Sequence, residues 1–262
     1  MKYLYVVILL PVLYTIAGCK KDRSPVPAPS TDSVYRVSMT KFYFIDQSYY
    51  TEQYSYDTLG MLTKATDRHP DGTLMSFQAY ERNNGQLLAY HLHNNAAVKV
   101  ATHACEYEGK SIRKITYTEF KPEPVLIFDR TLVYTNELPT FVTYTGALYY
   151  STTLTWWQGN IIRIVTRNLP DNTLKEETLF EYDDKQNPYF DIGGIPDGNA
   201  RYNSRNNITR VKTLEPDGAV KQAFALSYEY NAKGYPTTSF TTYPDGKKIQ
   251  EQTFEYAFFP VQ

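Results

Sequence analysis

A repeat with a fixed internal spacing constrains this chain more than any other feature. Pro-Asp-Gly, or Pro-Asp-Asn, occurs five times, and an aromatic residue stands fifteen positions before each aspartate. The aromatic anchors are Tyr56, Trp156, Tyr182, Tyr202 and Tyr230, and the matching aspartates are Asp71, Asp171, Asp197, Asp217 and Asp245. A spacing that recurs at this regularity predicts one structural unit that the chain uses repeatedly.

Each unit contains the residues for two turns. In Pro-Asp-Gly, the proline presets φ, the aspartate bonds back to the backbone and the glycine accepts positive φ, so this tripeptide closes a hairpin. Tyr-x-x-x-Gly, as in "YDTLG" (56–60), or the same pattern with Asn for Gly, supplies the second turn. A unit is therefore two antiparallel strands of roughly eight to ten residues. In a meander, the two turn types fall on opposite rims.

The residues before each anchor predict the two faces of the sheet. Pairs such as Tyr228/Tyr230 alternate with polar residues such as Glu229, as a half-buried antiparallel strand demands. Cys105 holds the equivalent position before Tyr107, so we predict that it is a core residue. The second strand of a unit alternates poorly, as in "NIIRIVT" (160–166). That pattern indicates either a bulge or partial cover on both faces.

These units predict an all-β fold. Looser copies begin at Tyr80, Tyr107 and Tyr134, and a truncated one at Tyr256, which gives about eight hairpin repeats and roughly sixteen strands. So many strands do not form a flat twisted sheet. We therefore expect an antiparallel β-meander, either strongly curled or barrel-like, in a single domain over 34–262. The 25 tyrosines favour strands as well.

The N-terminus predicts export. Residues 1–18 have a basic start, an apolar run and small residues at the end, which is typical of a signal peptide. The sequence "IAGC" (16–19) resembles the lipobox of bacterial lipoproteins, and the resemblance implies cleavage before Cys19 and its lipidation. Residues 19–33 are rich in proline and predict an extended tether. By family habit, Lys20 after the cysteine implies lipid anchoring in the outer membrane; whether the domain faces the periplasm or the medium stays open.

Two further resemblances concern the repeat itself. "YDTLGMLTKA" (56–65) resembles the YD repeat of RHS-type proteins, whose strands build large sheets and shells. The lipobox, the degenerate YD units and "YDDKQNPYF…YNSRNNITRV" (182–211) together resemble a Bacteroides-type lipoprotein family of unknown function, described as porin-like in fold. A strict YDxxG occurs once and the chain is short, which removes the case for enclosing a toxin.

The composition contains no strong signal for a cofactor, and a net charge of −1 gives no electrostatic case for nucleic acid. His91, His93 and His103 are weak candidates for a metal site, because an odd pairing register would send His103 to the opposite face. The turn aspartates should be strung along one rim, whereas calcium needs oxygens that converge. With Cys19 lipidated, Cys105 has no partner for an intrachain disulfide.

Adjacent aromatic residues are the best binding candidates. On a strand, neighbouring side chains point to opposite faces, so if Trp156 is a core anchor then Trp157 faces away. Exposed aromatic rings suit stacking on sugars or peptides. We therefore take Trp157, Tyr149 and Tyr150 as candidate binding residues; structural cross-strand pairing is the alternative.

The favoured function is a non-catalytic envelope lipoprotein that binds or scaffolds, with a glycan or an envelope protein as partner. The alternative is a hydrolase that uses Asp183, Asp184, Asp191 and Asp197, although no catalytic residue is assigned. A membrane-associated barrel is a minor alternative. It conflicts with the glutamates on the face opposite the anchors, which lipid would not tolerate: Glu106, Glu181, Glu229 and Glu255.

Overall fold

A computed structural model describes residues 33–121, 123–190, 192 and 198–260, and within them sixteen antiparallel strands close into a barrel. The predicted signal peptide, Cys19, the predicted tether up to residue 32, Asp191 and Asp197 lie outside the described residues. The strands are β1 (Ser33–Tyr43), β2 (Tyr49–Tyr56), β3 (Leu62–Arg68), β4 (Leu74–Asn83), β5 (Gln86–Asn94), β6 (Lys99–Glu108), β7 (Ser111–Phe120), β8 (Pro124–Thr135), β9 (Leu138–Gly146), β10 (Tyr150–Trp157), β11 (Asn160–Asn168), β12 (Leu174–Gln186), β13 (Asn206–Leu214), β14 (Val220–Tyr230), β15 (Pro236–Thr242) and β16 (Lys248–Pro260). One helical turn, α1 (Ala200–Asn203), lies between β12 and β13.

Each strand pairs with its neighbours in the chain, and β1 pairs with β16 to complete the ring. The predicted all-β meander is confirmed, and of the two predicted shapes the closed barrel is the one formed. Closure leaves no unpaired sheet edge, which a sixteen-stranded open sheet would have exposed twice. Among the described residues, no helix is long and apolar enough to cross a bilayer.

The aromatic anchors face the barrel interior. Tyr107, Tyr134 and Trp156 pack with Cys105 against a buried apolar cluster, which confirms Cys105 as a core residue. Burial raises the pKa of its thiol to about 11, so the thiol stays protonated at neutral pH. The cluster consists of Leu87, Ile112, Ile115, Leu132, Val142, Leu154, Ile161 and Ala200.

A β-bulge beside the anchor explains the poor alternation of the second strands. In the β2–β3 pair, for example, Ser55 faces Lys64 while Tyr56 faces Leu62, so Thr63 is the extra residue. The same one-residue shift beside an anchor recurs in the pairs β6–β7, β8–β9, β10–β11, β12–β13 and β14–β15. In β4–β5 the shift lies between Glu81 and Arg82, so Arg82 and not the predicted Tyr80 holds the anchor position. Of the two explanations that the sequence left open, the bulge is therefore present throughout.

The anchor side chains bond to the bulges of the preceding hairpin. The Tyr107 hydroxyl donates to the Leu87 carbonyl at 3.0 Å, and the Tyr256 hydroxyl donates to the Pro236 carbonyl at 2.7 Å. Trp156 makes the equivalent bond through Nε1 to the Pro139 carbonyl at 2.6 Å. These acceptors directly precede the extra residue of a bulge, where the ladder is interrupted. The repeated tyrosine is thus a tie between successive hairpins.

The four described turn aspartates behave as predicted. Asp71 accepts the Thr73 amide at 2.9 Å, and Asp245 accepts the Lys247 amide at 2.9 Å. Asp171 and Asp217 accept the amide two residues on in the same way. Gly72 has φ +84°, a conformation that other residues adopt at a cost. These turns lie on one rim, which we call the Pro-Asp-Gly rim, and the turns after the anchors form the Tyr rim.

The strand-anchor role predicted for Tyr202 is wrong. Tyr202 lies in α1, whose N-cap is Asn199, and β13 begins only at Asn206. Contacts of Tyr189 with β1 and β16 hold the chain inside the barrel here, so it does not form another pair of strands between Tyr182 and Tyr202. Gly198, in the third Pro-Asp-Gly, lies inside the barrel against Leu154 and not in a rim turn.

Candidate functional site

Between β12 and β13 the chain enters the barrel from the Tyr rim; we call the described residues there, 187–190, 192 and 198–205, the inserted segment. Of its described residues, Tyr189, Ile192, Ala200 and Ser204 are buried. The Asn187 amide donates to the Arg201 carbonyl at 2.6 Å and to the Ser204 carbonyl at 2.8 Å, which ties the two ends of the segment together.

The barrel wall holds the segment on two sides. The Ile161 amide on β11 donates to Ser204 Oγ at 3.1 Å. On the other side, Gln252 Nε2 on β16 donates to the Tyr189 hydroxyl at 2.7 Å, and that hydroxyl lies 3.3 Å from Thr40 Oγ1 on β1. The segment therefore bridges the interior between β11 on one side and β1 and β16 on the other.

A cavity of about 500 Å³ lies between the inserted segment and the inner wall of β9–β14 and β16. One side is an apolar row that runs across three adjacent strands, because Phe180 faces Val211 and Val211 faces Phe224. Ile164 and Leu226 extend this apolar wall. A smaller cavity of about 190 Å³ shares Phe224 and Glu251 with it and lies towards Tyr243 on the Pro-Asp-Gly rim.

The opposite side of the cavity, which we call the floor, is polar but internally paired. Arg201 Nη2 lies 3.4 Å from Glu251 Oε1 and also donates to Gln252 Oε1. The guanidinium lies over the rings of Tyr189 and Phe42, at 5.5 and 5.9 Å from their centroids. The floor thus joins one positive and one negative side chain in contact, and its local charge is balanced.

An aromatic ladder lines the other half of the interior. Inward-facing rings on seven successive strands pack side by side, with centroid separations from 4.2 to 6.4 Å. The rings belong to Tyr80, Tyr90, His103, Tyr117, Phe128, Tyr144 and Tyr150. Several are close to parallel, so they cover one another's faces and turn their edges towards the interior. The ladder therefore covers the inner wall, and its ring faces are occupied by neighbouring rings.

Arg130 lies against this ladder, within 5.4 Å of the Phe128 ring centroid and 3.3 Å from His103 Nδ1. Burial, and then the charge of Arg130, lower the pKa of His103 to about 3. The His103 ring is therefore neutral at physiological pH, where it packs between the rings of Tyr90 and Tyr117.

Two carboxylates face each other inside the barrel. Glu52 and Asp67 are cross-strand neighbours on β2 and β3. The Tyr54 hydroxyl donates to Glu52 at 2.5 Å and the Ser76 hydroxyl donates to Asp67 at 2.6 Å. Burial is the main cause that raises the pKa of Glu52 to about 7, and it also raises the pKa of Asp67.

The predicted binding residues are placed apart. Trp157 is 63% exposed at the Tyr-rim end of β10, and Tyr149 is 53% exposed beyond the other end of that strand. Tyr150 faces inward and stacks on Tyr144 at 4.4 Å. The three side chains thus form no common surface; their binding role stays a prediction.

The three histidines do not converge. Tyr90 pairs with His103 and His91 pairs with Thr102, so His103 is on the inner face and His91 on the outer one. His91 Nδ1 lies 2.9 Å from Thr102 Oγ1, and His93 stacks on Phe77. Within the described residues, no group of three potential metal ligands forms.

The described members of the acidic group 183–197 do not form a pair. Asp183 accepts the Asn207 side-chain amide at 3.2 Å and the Tyr230 hydroxyl, which makes it part of the barrel's own bonding. Asp184 is exposed and lies 3.2 Å from Lys185 Nζ.

The residues that form the cavity were not singled out by the sequence. Arg201, Glu251 and the Phe180–Val211–Phe224 row carry no motif. One signal was available: the anchor spacing falls to 20 residues between Tyr182 and Tyr202, where the chain turns inward.

No protein-family model and no curated protein matches the chain. Among solved structures, it is similar to a porin-like protein from Bacteroides uniformis, with a TM-score of 0.55, 13% identity, and coverage of 85% of this chain and 97% of that one. A porin-like protein from Bacteroides vulgatus gives a TM-score of 0.43 and 9% identity over 86% of this chain and 99% of that one. The Photorhabdus luminescens Tc holotoxin pore gives 0.31 and 12% identity over 86% of this chain and 15% of that one. The first likeness confirms the porin-like fold.

Proposed function

We propose that this chain is a non-catalytic binding protein of the cell envelope, anchored through lipid on Cys19, whose ligand occupies the cavity inside the barrel. The observation that carries the proposal is the cavity of about 500 Å³ with an apolar wall and a braced polar floor. Its volume lies in the range of ordinary small-molecule sites, and its mixed lining is typical of them.

The charged side chains on the outer face of the barrel favour contact with water over contact with lipid. Charged pairs lie on its outer face at mid-strand: Lys114 with Asp129 at 3.1 Å, and Arg163 with Glu177 at 2.7 Å. Arginine or lysine facing lipid at the midplane of a bilayer costs about 2–4 kcal/mol. The inserted segment also occupies the interior, where a wide pore would need an open lumen. Attachment to a membrane is therefore assigned to the lipid and not to the wall.

Ligand-dependent stabilisation tests the binding function. A panel of apolar compounds, oligosaccharides and peptides is screened for a rise in melting temperature, since a ligand at 100 times its Kd stabilises by about 2.7 kcal/mol. We expect at least one hit, recovered chemically unchanged, that is lost in Val211→Trp, which fills the cavity.

Lys212→Trp is the matched control. Lys212 is the next residue of β13 and is exposed on the outer face, so the same tryptophan there leaves the cavity intact. A hit that both variants abolish or both retain would contradict an interior site, and a turned-over ligand would contradict a non-catalytic role.

A second, external contact is proposed for Trp157, with a glycan or an envelope protein as partner. Its 63% exposed ring at the end of β10 is the observation that favours it. In pull-downs of envelope extracts and glycans, Trp157→Ala should lose retention. Leu59→Ala, which removes a 74% exposed side chain elsewhere on the Tyr rim, should keep it. Equal retention by both variants and wild type would remove this contact.

A further inference from the structure

The cavity's own chemistry narrows the class of ligand. We infer that it takes an uncharged, predominantly apolar small molecule that packs on the Phe180–Val211–Phe224 row. This inference rests on the proposed binding function and adds the substrate class.

The apolar wall of the cavity favours an apolar guest. Phe180 and Phe224 flank Val211 on adjacent strands and all three line the cavity. In the described part of the chain, neither phenylalanine takes part in a ring–ring contact, unlike the rings of the ladder. Phe180 also packs against the buried apolar cluster, and both rings line the cavity. A guest that covers their apolar area there gains about 25 cal/mol per Å².

Polar side chains of the floor are already hydrogen-bonded within the protein. The Asn187 amide donates to two carbonyls of the inserted segment. Gln252 donates through Nε2 to Tyr189 and accepts through Oε1 from Arg201. A polar ligand would have to replace bonds that the protein already makes, and such an exchange adds little net free energy. A glycan, which must satisfy many hydroxyl groups, is disfavoured for the same reason.

The paired charges of the floor disfavour a charged ligand. Arg201 and Glu251 are in contact, so an anionic ligand that approaches the guanidinium also approaches the carboxylate. A cationic ligand meets the opposite problem. Repulsion by one member of the pair offsets attraction by the other, which selects for an uncharged guest.

Two naphthylamine probes test this inference on the full chain. N-phenyl-1-naphthylamine is neutral, and anilinonaphthalene sulfonate is of similar size but anionic. Probe fluorescence counts as cavity binding only if Val211→Trp removes it and Lys212→Trp retains it. Partition of the probe into lipid or detergent gives the same signal with both variants, so it does not affect the comparison. We expect cavity binding of the neutral probe to be at least about tenfold tighter than that of the anion, or 1.4 kcal/mol. If Val211→Trp does not fold, Val211→Phe fills the cavity less severely and serves in its place.

Glu251→Gln separates charge from shape. Removal of the carboxylate leaves Arg201 uncompensated, so binding of the anionic probe should strengthen several-fold while binding of the neutral probe changes little. If the cavity of the wild-type protein binds the anionic probe with an affinity equal to or higher than that for the neutral probe, the proposed ligand class is overturned. Cavity binding of an oligosaccharide alone would do so too, and both outcomes would leave the binding function standing. Absence of any cavity-dependent binding would overturn the class and the function together.

Discussion

At the residue scale, the hydroxyl of the repeated tyrosine has a structural role in several units: it donates to a backbone carbonyl at a bulge. A bulge leaves a carbonyl outside the regular ladder, and a buried carbonyl without a partner is costly. Tyr107 and Tyr256 each donate to such a carbonyl about twenty positions earlier, one hairpin away. Where Tyr80 bonds elsewhere, Arg82 Nε lies 3.3 Å from the Leu62 carbonyl instead. Tyr228 takes the same role for the Ile208 carbonyl while Tyr230 bonds Asp183, whereas the buried Tyr134 hydroxyl has no hydrogen-bond partner among the described residues. The bond to the bulge is thus made by different donors and is not present in every unit.

Tyr107→Phe should lower the free energy of unfolding by about 1–3 kcal/mol, because it removes the donor and leaves the Leu87 carbonyl unpaired. Denaturant unfolding measures the change. Tyr149→Phe is the control, since that ring is exposed, and it should stay within about 0.5 kcal/mol of wild type. Equal stability of the two variants would mean that the anchor acts only through apolar packing.

Glu52 should make the protein less stable as pH rises. Its pKa of about 7 in the folded state lies above the unfolded value of about 4.5, mainly through burial, with the Tyr54 hydroxyl and Arg201 opposing the shift and Asp67 adding to it. The folded state therefore holds more protons between these two values, and stability falls with pH across that window. Relative to Glu52→Gln, wild type should lose up to about 3 kcal/mol between pH 4 and pH 8. Parallel stability–pH curves for the two proteins would show that Glu52 ionises normally.

At the scale of elements, local turn chemistry made the hairpins predictable. Asp71 and Gly72 fix a turn through bonds and a φ value that depend on neighbouring residues alone, and the alternation at Tyr228/Tyr230 fixes a face. The inserted segment contains no comparable local signal in its sequence. Tyr202 and 196–198 obey the same spacing as the true repeats, yet long-range contacts of Tyr189 with β1 and β16 draw the chain inward. Tertiary packing decided here against a locally consistent pattern.

Tyr189→Ala should destabilise the protein by about 3–5 kcal/mol, because it empties a buried site and removes the bond from Gln252. It should also weaken cavity binding, since Tyr189 lines the cavity floor. Thermal unfolding and probe titration measure the two effects. Tyr202→Ala, on the same segment but 37% exposed, is the control with the smaller expected loss. A larger loss of stability for Tyr202→Ala than for Tyr189→Ala would contradict the role of Tyr189 in holding the inserted segment against the wall.

At the scale of the whole molecule, closure and cavity differ in how far the sequence determines them. The number of units predicted about sixteen strands, but whether β1 meets β16 depends on the twist and bulges summed around the ring. The cavity wall joins Phe180, Val211 and Phe224, which lie on three strands and become neighbours only through register. The outer face was predictable, because the alternation already placed Glu181 and Glu229 opposite the anchors.

Association of the barrel with a membrane should depend on the lipid on Cys19. Two ion pairs lie on the outer wall: Arg210 with Glu181 at 3.3 Å, and Lys114 with Asp129 at 3.1 Å on other strands. The barrel should therefore not enter lipid or detergent by itself. In detergent phase separation, the exported chain should enter the detergent phase through acyl chains on Cys19. A chain that begins at residue 20, exported behind an ordinary secretion signal, should remain in the aqueous phase. Cys105→Ser in the anchored chain is the matched control and should still enter the detergent phase, because Cys105 lies in the core. Recovery of the chain from residue 20 in detergent would show that the wall itself binds apolar surfaces, and would restore the membrane-associated barrel as the better account.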